Sequence, residues 1–167
     1  MGLFSTPIKS LDDLFMHTLK DMYYAENQIV KSLPKMIEKA NDPALRSAFE
    51  AHLSETKNQV TRLEQIFEAL GQKAEGATCA AMDGILDEAK DEMSDIDDAA
   101  VLDAGMLSAA QAVEHYEITR YGTLIAFAKR LGRTDCVKLL EETLTEEKET
   151  DRKLTAIAES QVNRKAA

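Results

Sequence analysis

The chain has no tryptophan and is poor in proline (three) and glycine (seven), so it contains few residues that interrupt helices. Residues that favour helices, such as Ala, Leu, Glu, Lys, Gln and Met, are abundant instead. The two cysteines, Cys79 and Cys136, have no short spacing that would indicate a zinc motif or a disulfide framework, and a reducing compartment is the simple interpretation. A chain of 167 residues can bury a core without cross-links, so we expect one all-helical domain.

Two further absences concern membranes and nucleic acid. No apolar run is long enough to span a bilayer, and no charged segment followed by an apolar one indicates secretion. A formal net charge of −10 disfavours binding to phosphate backbones and to anionic bilayers, so we expect neither partner. The first six residues, MGLFST, match a loose myristoylation pattern at Gly2, but a frayed N-terminus is the favoured interpretation.

Four long stretches carry apolar residues at alternating steps of three and four, which is typical of amphipathic helices. They are Ser10–Ala40, Pro43–Leu70, Asp98–Leu131 and Thr134–Gln161. Pro34 lies inside the first pattern and is expected to kink or shorten that helix.

The breaks between these stretches indicate how the helices connect. Short turns, with Asp42 as a cap in the first and Gly132 in the second, predict two antiparallel hairpins. The segment Gln72–Asp98 predicts a long crossover that carries its own helix, roughly Thr78–Met93. We therefore predict a four-helix bundle, with coiled-coil pairs as the less favoured alternative. One domain should span residues 1–167, ordered over about 10–161, with a loose tail from Val162.

Each of the four long helices places a glutamate on or beside its apolar stripe, where leucine or isoleucine would be expected: Glu26, Glu55, Glu114 and Glu147. Each lies roughly 20 to 27 Å from the turn of its own hairpin, at about 1.5 Å of rise per residue. Buried, unpaired carboxylates are very costly, and divalent cations offset that cost. The pattern therefore predicts a metal site inside the bundle, although solvated helix faces are the alternative for any single glutamate.

Two neighbours of these glutamates are further candidate ligands. Glu117 shares the helix face of Glu114, and either metal binding or an ion pair with Arg120 or nearby lysines would explain it. His52 shares the face of Glu55, and either ligation or a hydrogen-bonded core histidine would explain it.

Other polar residues near the predicted site have weaker patterns. The hydroxyls of Tyr23 and Tyr121 could each donate to a ligand carboxylate, although ordinary packing explains them equally well. Asp151 could bind or orient a ligand, and His115 is expected to point away from the site.

Five short segments resemble the YciE/YciF stress-protein family of the ferritin-like superfamily, nearer to its YciF branch: YAENQ, HLSET, VEHYEI, YGTL and TLTEEK. The resemblance covers nearly the whole chain in the same order. It implies a ferritin-like four-helix bundle with a dinuclear metal centre, usually of iron. It also implies a bacterial cytoplasmic homodimer associated with osmotic or general stress.

Carried over by residue, the resemblance implies a set of metal ligands: Glu26, Glu55, Glu114, Glu117 and Glu147. The superfamily also has a histidine three residues after the second and the last helix glutamates, but Asn58 and Thr150 stand there in this chain. His52 and Glu117 are candidates to compensate for those histidines. The expected cofactor is two divalent ions per chain, iron first, with manganese or zinc as alternatives.

Two functions are compatible with this reading. The first is a di-metal protein that reacts with peroxide or dioxygen. The second is a non-catalytic, metal-stabilised structural or interaction protein of the stress response. Ferritin-type iron storage is less favoured, because nothing in the chain predicts a multi-subunit shell. No phosphate loop or nucleophile elbow indicates another class of enzyme.

Overall fold

A computed structural model describes residues 7–167, and every regular element in that range is helical, as the composition predicts. The hexapeptide with the myristoylation pattern lies outside the described residues. The helices are α1 (Leu11–Lys39), α2 (Pro43–Ala69), α3 (Ala80–Ser94), α4 (Ala99–Arg130) and α5 (Thr134–Ile157), followed by a π-helical turn (Ala158–Val162) and α6 (Asn163–Ala166). None of them has both the length and the apolar character needed to cross a bilayer.

The helix ends follow the capping residues in the sequence. Side chains of Ser10, Asp42 and Asp98 accept backbone N–H groups at the starts of α1, α2 and α4. Gly71 and Gly132 follow the ends of α2 and α4 with φ angles of 66° and 70°, which glycine adopts without steric cost. Asp42 and Gly132 lie in the two short hairpin turns, while Gly71 and Asp98 mark the ends of the crossover.

The long helices form two antiparallel hairpins, α1 with α2 and α4 with α5. The hairpins contact each other through α1 with α4 and α2 with α5, while α3, in the crossover, packs on the outside against α4. A helical bundle with a helix-bearing crossover is thus confirmed.

Specific polar contacts join the two hairpins. Oδ1 and Oδ2 of Asp103 on α4 accept the backbone N–H groups of Asn41 and Asp42, each at 2.8 Å. The guanidinium of Arg62 on α2 donates two hydrogen bonds, of 2.6 and 2.5 Å, to the carboxylate of Glu146 on α5. Such charge-assisted bonds add directional contacts to the apolar packing.

Helix α1 continues through Pro34 to Lys39, so the proline does not shorten it, and the alternative of a kink stays a prediction. Pro34 is exposed, so water can reach the carbonyl group one turn earlier, which receives no N–H from the proline. The tail expected to be loose is helical instead. It is held because Val162 is 1% exposed in the core and Lys165 Nζ donates to Asp42 Oδ2 at 2.6 Å.

The apolar core is divided into two clusters. One contains Phe49 and lies toward the α1–α2 turn, and the other contains Phe15 and lies toward the α4–α5 turn. Along α2, α4 and α5 the residues of one cluster are followed by buried polar residues and then by the other cluster, and Glu26 lies near the same boundary on α1. A polar layer therefore crosses the middle of the bundle.

Candidate metal centre

Five buried ionisable side chains form the middle of this polar layer, and none is more than 4% exposed: Glu26, His52, Glu114, Glu117 and Glu147. They come from α1, α2, α4, α4 and α5 respectively. The structure thus brings together side chains that the sequence placed on four separate helices.

The candidate ligands lie at the same height in the bundle because of their positions along the helices. The two hairpin turns lie at opposite ends of the bundle, as the two apolar clusters show. Equal distance from a turn therefore does not by itself make residues level. Each ligand candidate lies near the middle of a helix of 24 to 32 residues, and the middles of antiparallel helices coincide.

The candidate ligand atoms fall into two groups, and within each group they lie within 4.8 Å of one another. Glu26, Glu117 and Glu147 form the first group, and His52, Glu114 and Glu147 form the second. Glu147 belongs to both. One carboxylate with two oxygens is thus placed between two sets of potential ligands.

Most of these atoms have no hydrogen-bond partner within residues 7–167: Oε2 of Glu26, both carboxylate oxygens of Glu114, Glu117 and Glu147, and Nδ1 of His52. Native interiors rarely leave so many buried polar atoms without partners. A cation would provide the missing partner, and oxygen ligands with one imidazole suit iron, manganese or zinc.

One distance in the second group also suits a metal. Nε2 of His52 lies 3.1 Å from Oε1 of Glu114. Two ligand atoms bound at right angles, at about 2.1 Å from one cation, lie about 3 Å apart. The residues present therefore fit a metal ion.

Burial and like charge control the protonation of the carboxyls. Burial is the main cause that raises the pKa of Glu114 to about 8. Burial, followed by the charges of neighbouring glutamates, raises the pKa of Glu26, Glu117 and Glu147 well above the usual range. In the absence of cations these carboxyls are therefore held mostly protonated.

His52 is affected in the opposite sense. Burial lowers the pKa of its imidazole to about 4. The ring is therefore neutral at physiological pH, which is the form that binds metals.

Glu55 lies at the edge of the site and belongs to neither group. Its side chain is 30% exposed, its Oε2 accepts a hydrogen bond of 3.2 Å from Thr150, and its Oε1 lies 3.9 Å from Nζ of Lys153. From α2 it is His52 that points into the centre. Ligation by Glu55 stays a prediction.

Asn58 and Thr150, which stand where the resemblance implied histidines, lie outside both groups of ligand atoms. Thr150 is buried and donates to Glu55, whereas Asn58 is exposed.

The alternative ion pair of Glu117 with Arg120 does not form. Glu117 is fully buried in the first group, while Nε of Arg120 donates to the hydroxyl of Tyr116 at 3.1 Å. His115 is largely exposed, and its Nε2 lies 3.3 Å from Oδ1 of Asp151. Its expected outward position is therefore confirmed. Asp151 lies in neither group.

The two tyrosines have different partners. The hydroxyl of Tyr121 donates to Oε1 of Glu26, and the hydroxyl of Tyr23 donates to Oε1 of Glu64 at 3.0 Å. The helical period placed Tyr121 near Glu117 on its own helix, but a partner on another helix has no such signal. The sequence also does not indicate that Glu147 belongs to both groups, because that depends on how the helices pack.

Comparisons with known proteins agree with this architecture. A family model described as a domain of unknown function (DUF892) matches residues 10–167. Protein YciF of Escherichia coli (strain K12) is 43% identical over 160 residues, which cover 95% of this chain and 96% of YciF.

Solved structures show the same likeness. YcfI from Rhodopseudomonas palustris, provisionally described as a structural protein, has a TM-score of 0.89 at 50% identity, covering 92% of this chain and 98% of that one. The E. coli stress protein YciF has a TM-score of 0.87, covering 93% and 99%. A protein from Xanthomonas campestris pv. campestris shares the fold at 21% identity, with a TM-score of 0.72 and coverage of 92% and 94%. The chain belongs to the DUF892 family, together with the stress protein YciF, as the YciE/YciF resemblance indicated.

Proposed function

We propose that this chain is a stress-associated di-metal carboxylate protein with a ferritin-like bundle. Its buried centre would hold two divalent ions, iron first, with manganese or zinc as alternatives, and would react with peroxide or dioxygen. The observation that carries the proposal is the membership of Glu147 in both groups of buried ligand atoms. A carboxylate shared between two cations is how a protein holds two metals close together.

The residues have distinct roles in this proposal. Glu26 and Glu117 would hold one ion and His52 and Glu114 the other, and Glu147 would be available to both. When bound, a redox-active metal pair supplies the electrons for reduction of the oxidant. The protein excludes bulk water, since all five side chains are buried, and releases carboxyl protons as metal binds.

Elemental analysis of the purified protein and an oxidant assay test this proposal together. We expect close to two metal ions per chain, and faster consumption of hydrogen peroxide by the iron-loaded protein than by an equal amount of free iron. Glu147→Gln should lose both properties. Glu149→Gln is the matched control on the same helix, because Glu149 only pairs with Arg152 at the surface. Consumption no faster than that of free iron would rule out the redox role.

A non-catalytic role is the second candidate, supported by the description of the relative YcfI as structural and by the full burial of the carboxylates. In that role metal stabilises the bundle, and a surface performs the function. A stably folded Glu26→Ala, Glu114→Ala double variant would then still protect cells under osmotic stress. Loss of protection in that variant would favour the redox role.

The proposal includes a cytoplasmic homodimer, as the family resemblance implies, and the relatives support only its bacterial origin. Sedimentation and light scattering distinguish this dimer from a ferritin-like shell, and fractionation of the host cell tests the location.

A further inference from the structure

A groove runs between α1 and α3, away from the metal centre, with a volume of about 570 Å³. This volume is within the range of sites that bind small molecules, about 300 to 1,000 Å³. Its lining combines charged ends with apolar side chains: Lys31, Lys35, Met36 and Lys39 from α1, and Leu86, Asp87, Ala89, Lys90 and Met93 from α3.

The rim of this groove is positively charged, in contrast to the chain as a whole. Lys31, Lys35 and Lys39 follow one another at intervals of four residues along α1, and Lys90 faces them from α3. Asp87 is the one acidic residue in the lining. The chain overall carries a net charge of −10, so the groove is a local reversal of sign.

The ammonium groups of these four lysines form no ion pair within residues 7–167. The lysines that make ion pairs within residues 7–167 are others: Lys20, Lys129, Lys153 and Lys165. The four groove ammonium groups are exposed, and their charge is available to an anion.

The floor of the groove is apolar and adaptable. Met36, Leu86 and Met93 are half-buried there, and methionine fills irregular apolar space well. Behind the floor, a small cavity of about 20 Å³ shares Ser32, Met36 and Leu86 with the groove and continues toward Val113 and His52. The apolar surface therefore extends from the rim into the bundle.

We propose that this groove binds a single-chain anionic amphiphile, with a carboxylate or phosphate head on the lysine rim and a hydrocarbon chain on the methionine floor. A small inorganic anion would leave the floor uncovered, and an uncharged hydrocarbon would leave the lysines unpaired. An amphiphile matches both features. The lining of the groove itself includes none of the candidate metal ligands, although His52 lines the small cavity behind it, and the proposal does not depend on the proposed function.

Calorimetric titration with dodecanoate, below its micelle concentration, tests this site. We expect saturable binding to the full chain, no saturable binding of dodecyltrimethylammonium, and at least tenfold weaker dodecanoate binding to Lys35→Glu, Lys39→Glu. The control is Lys57→Glu, Lys138→Glu, which makes the same charge change on other exposed surfaces and should bind like the original chain. Equal binding of the cationic amphiphile, or unchanged binding to the groove variant, would overturn the proposal.

Methionine methyl NMR locates the bound chain independently. The signals of Met36 and Met93 should shift on titration, while that of Met106, fully buried in the core, should stay in place. If dodecanoate does not bind and Lys35→Glu, Lys39→Glu instead dissociates a dimer in sedimentation, a second copy of the chain covers the groove and the amphiphile proposal is wrong.

Discussion

The hydroxyl of Tyr121 on α4 donates a hydrogen bond to the carboxylate of Glu26 on α1, and both side chains are fully buried. Burial, followed by the nearby glutamates, raises the pKa of this phenol well above its usual value. Tyr121 is therefore a donor at every physiological pH. We expect this hydrogen bond to orient Glu26 toward Glu117 and Glu147.

Replacing this tyrosine tests the orienting role. In Tyr121→Phe we expect roughly tenfold weaker metal binding, because Glu26 loses its hydrogen-bond donor. Competition against a chromophoric chelator measures the affinity. Tyr23→Phe is the control, since its hydroxyl bonds only to Glu64 at the surface, and it should bind metal normally. Equal affinity of both variants would exclude this role.

The shared position of Glu147 predicts unequal effects of single substitutions. His52→Ala should keep about one metal per chain, because the group of Glu26, Glu117 and Glu147 is untouched. Glu147→Gln should keep almost none, because both groups lose an anionic oxygen. Elemental analysis after extensive dialysis measures both. A count of one for Glu147→Gln would show that the two sites are independent.

Metal removal should make stability depend on pH. In the metal-free protein the pKa of Glu114 is raised from 4.5 to about 8, so the folded chain binds more protons than the unfolded chain between these values. Its free energy of unfolding therefore falls as pH rises through that range. His52 has the opposite effect, but only between about 4 and 6.5.

The two effects separate between pH 6.5 and 8.5, because His52 changes its protonation only below that range. There the metal-free protein should lose about 2 kcal/mol from Glu114 alone, a shift in Tm of several degrees, and the other three glutamates, whose pKa values are also raised, add to the loss. The metal-loaded protein should not lose stability, because cation binding requires ionised ligands. Parallel thermal melts with and without chelator measure the difference. Identical curves for the two forms would mean that the carboxyls and the cations are not coupled.

Alanine substitution at two glycines in or beside α4 should change the free energy of unfolding in opposite directions. Gly132 has a φ of 70°, so Gly132→Ala should destabilise the fold by about 1 kcal/mol. Gly122 lies inside the helix, and an added Cβ there meets no atom within 4 Å. Gly122→Ala should therefore stabilise the fold by about 0.5 to 1 kcal/mol. Urea unfolding measures both changes, and destabilisation by Gly122→Ala would contradict the open space observed.

Much of the fold could be predicted because its determinants are local. Asp42 and Gly132 act within one turn of chain, and they lie at the helix ends that the sequence indicated. The burial of Glu26 and Glu114 was also visible, since each replaces an apolar residue in a periodic stripe. The tail was missed because Lys165 is held by Asp42, which is 123 residues away.

The arrangement within the site could not be predicted in the same way. A stripe is about 100° wide, so it does not decide whether His52 or its neighbour Glu55 points inward from α2. That choice depends on the rotation of the helix, which is determined by partners such as Glu146 on α5. Similarly, the lysine stripe of α1 is visible in the sequence, but the placement of α3 beside it is not.

Helices with repeating apolar stripes can slip along one another by one turn, about 5.4 Å, and still bury similar side chains. The contact of Asp103 with two consecutive peptide groups, those of Asn41 and Asp42, permits no such slip. A displacement of that size would move Glu26 and His52, on the first hairpin, away from Glu114, Glu117 and Glu147, on the second, by more than the length of any metal–ligand bond. Asp103, although far from the centre, thus fixes the axial position of one hairpin against the other and keeps the ligands of both hairpins at the same level.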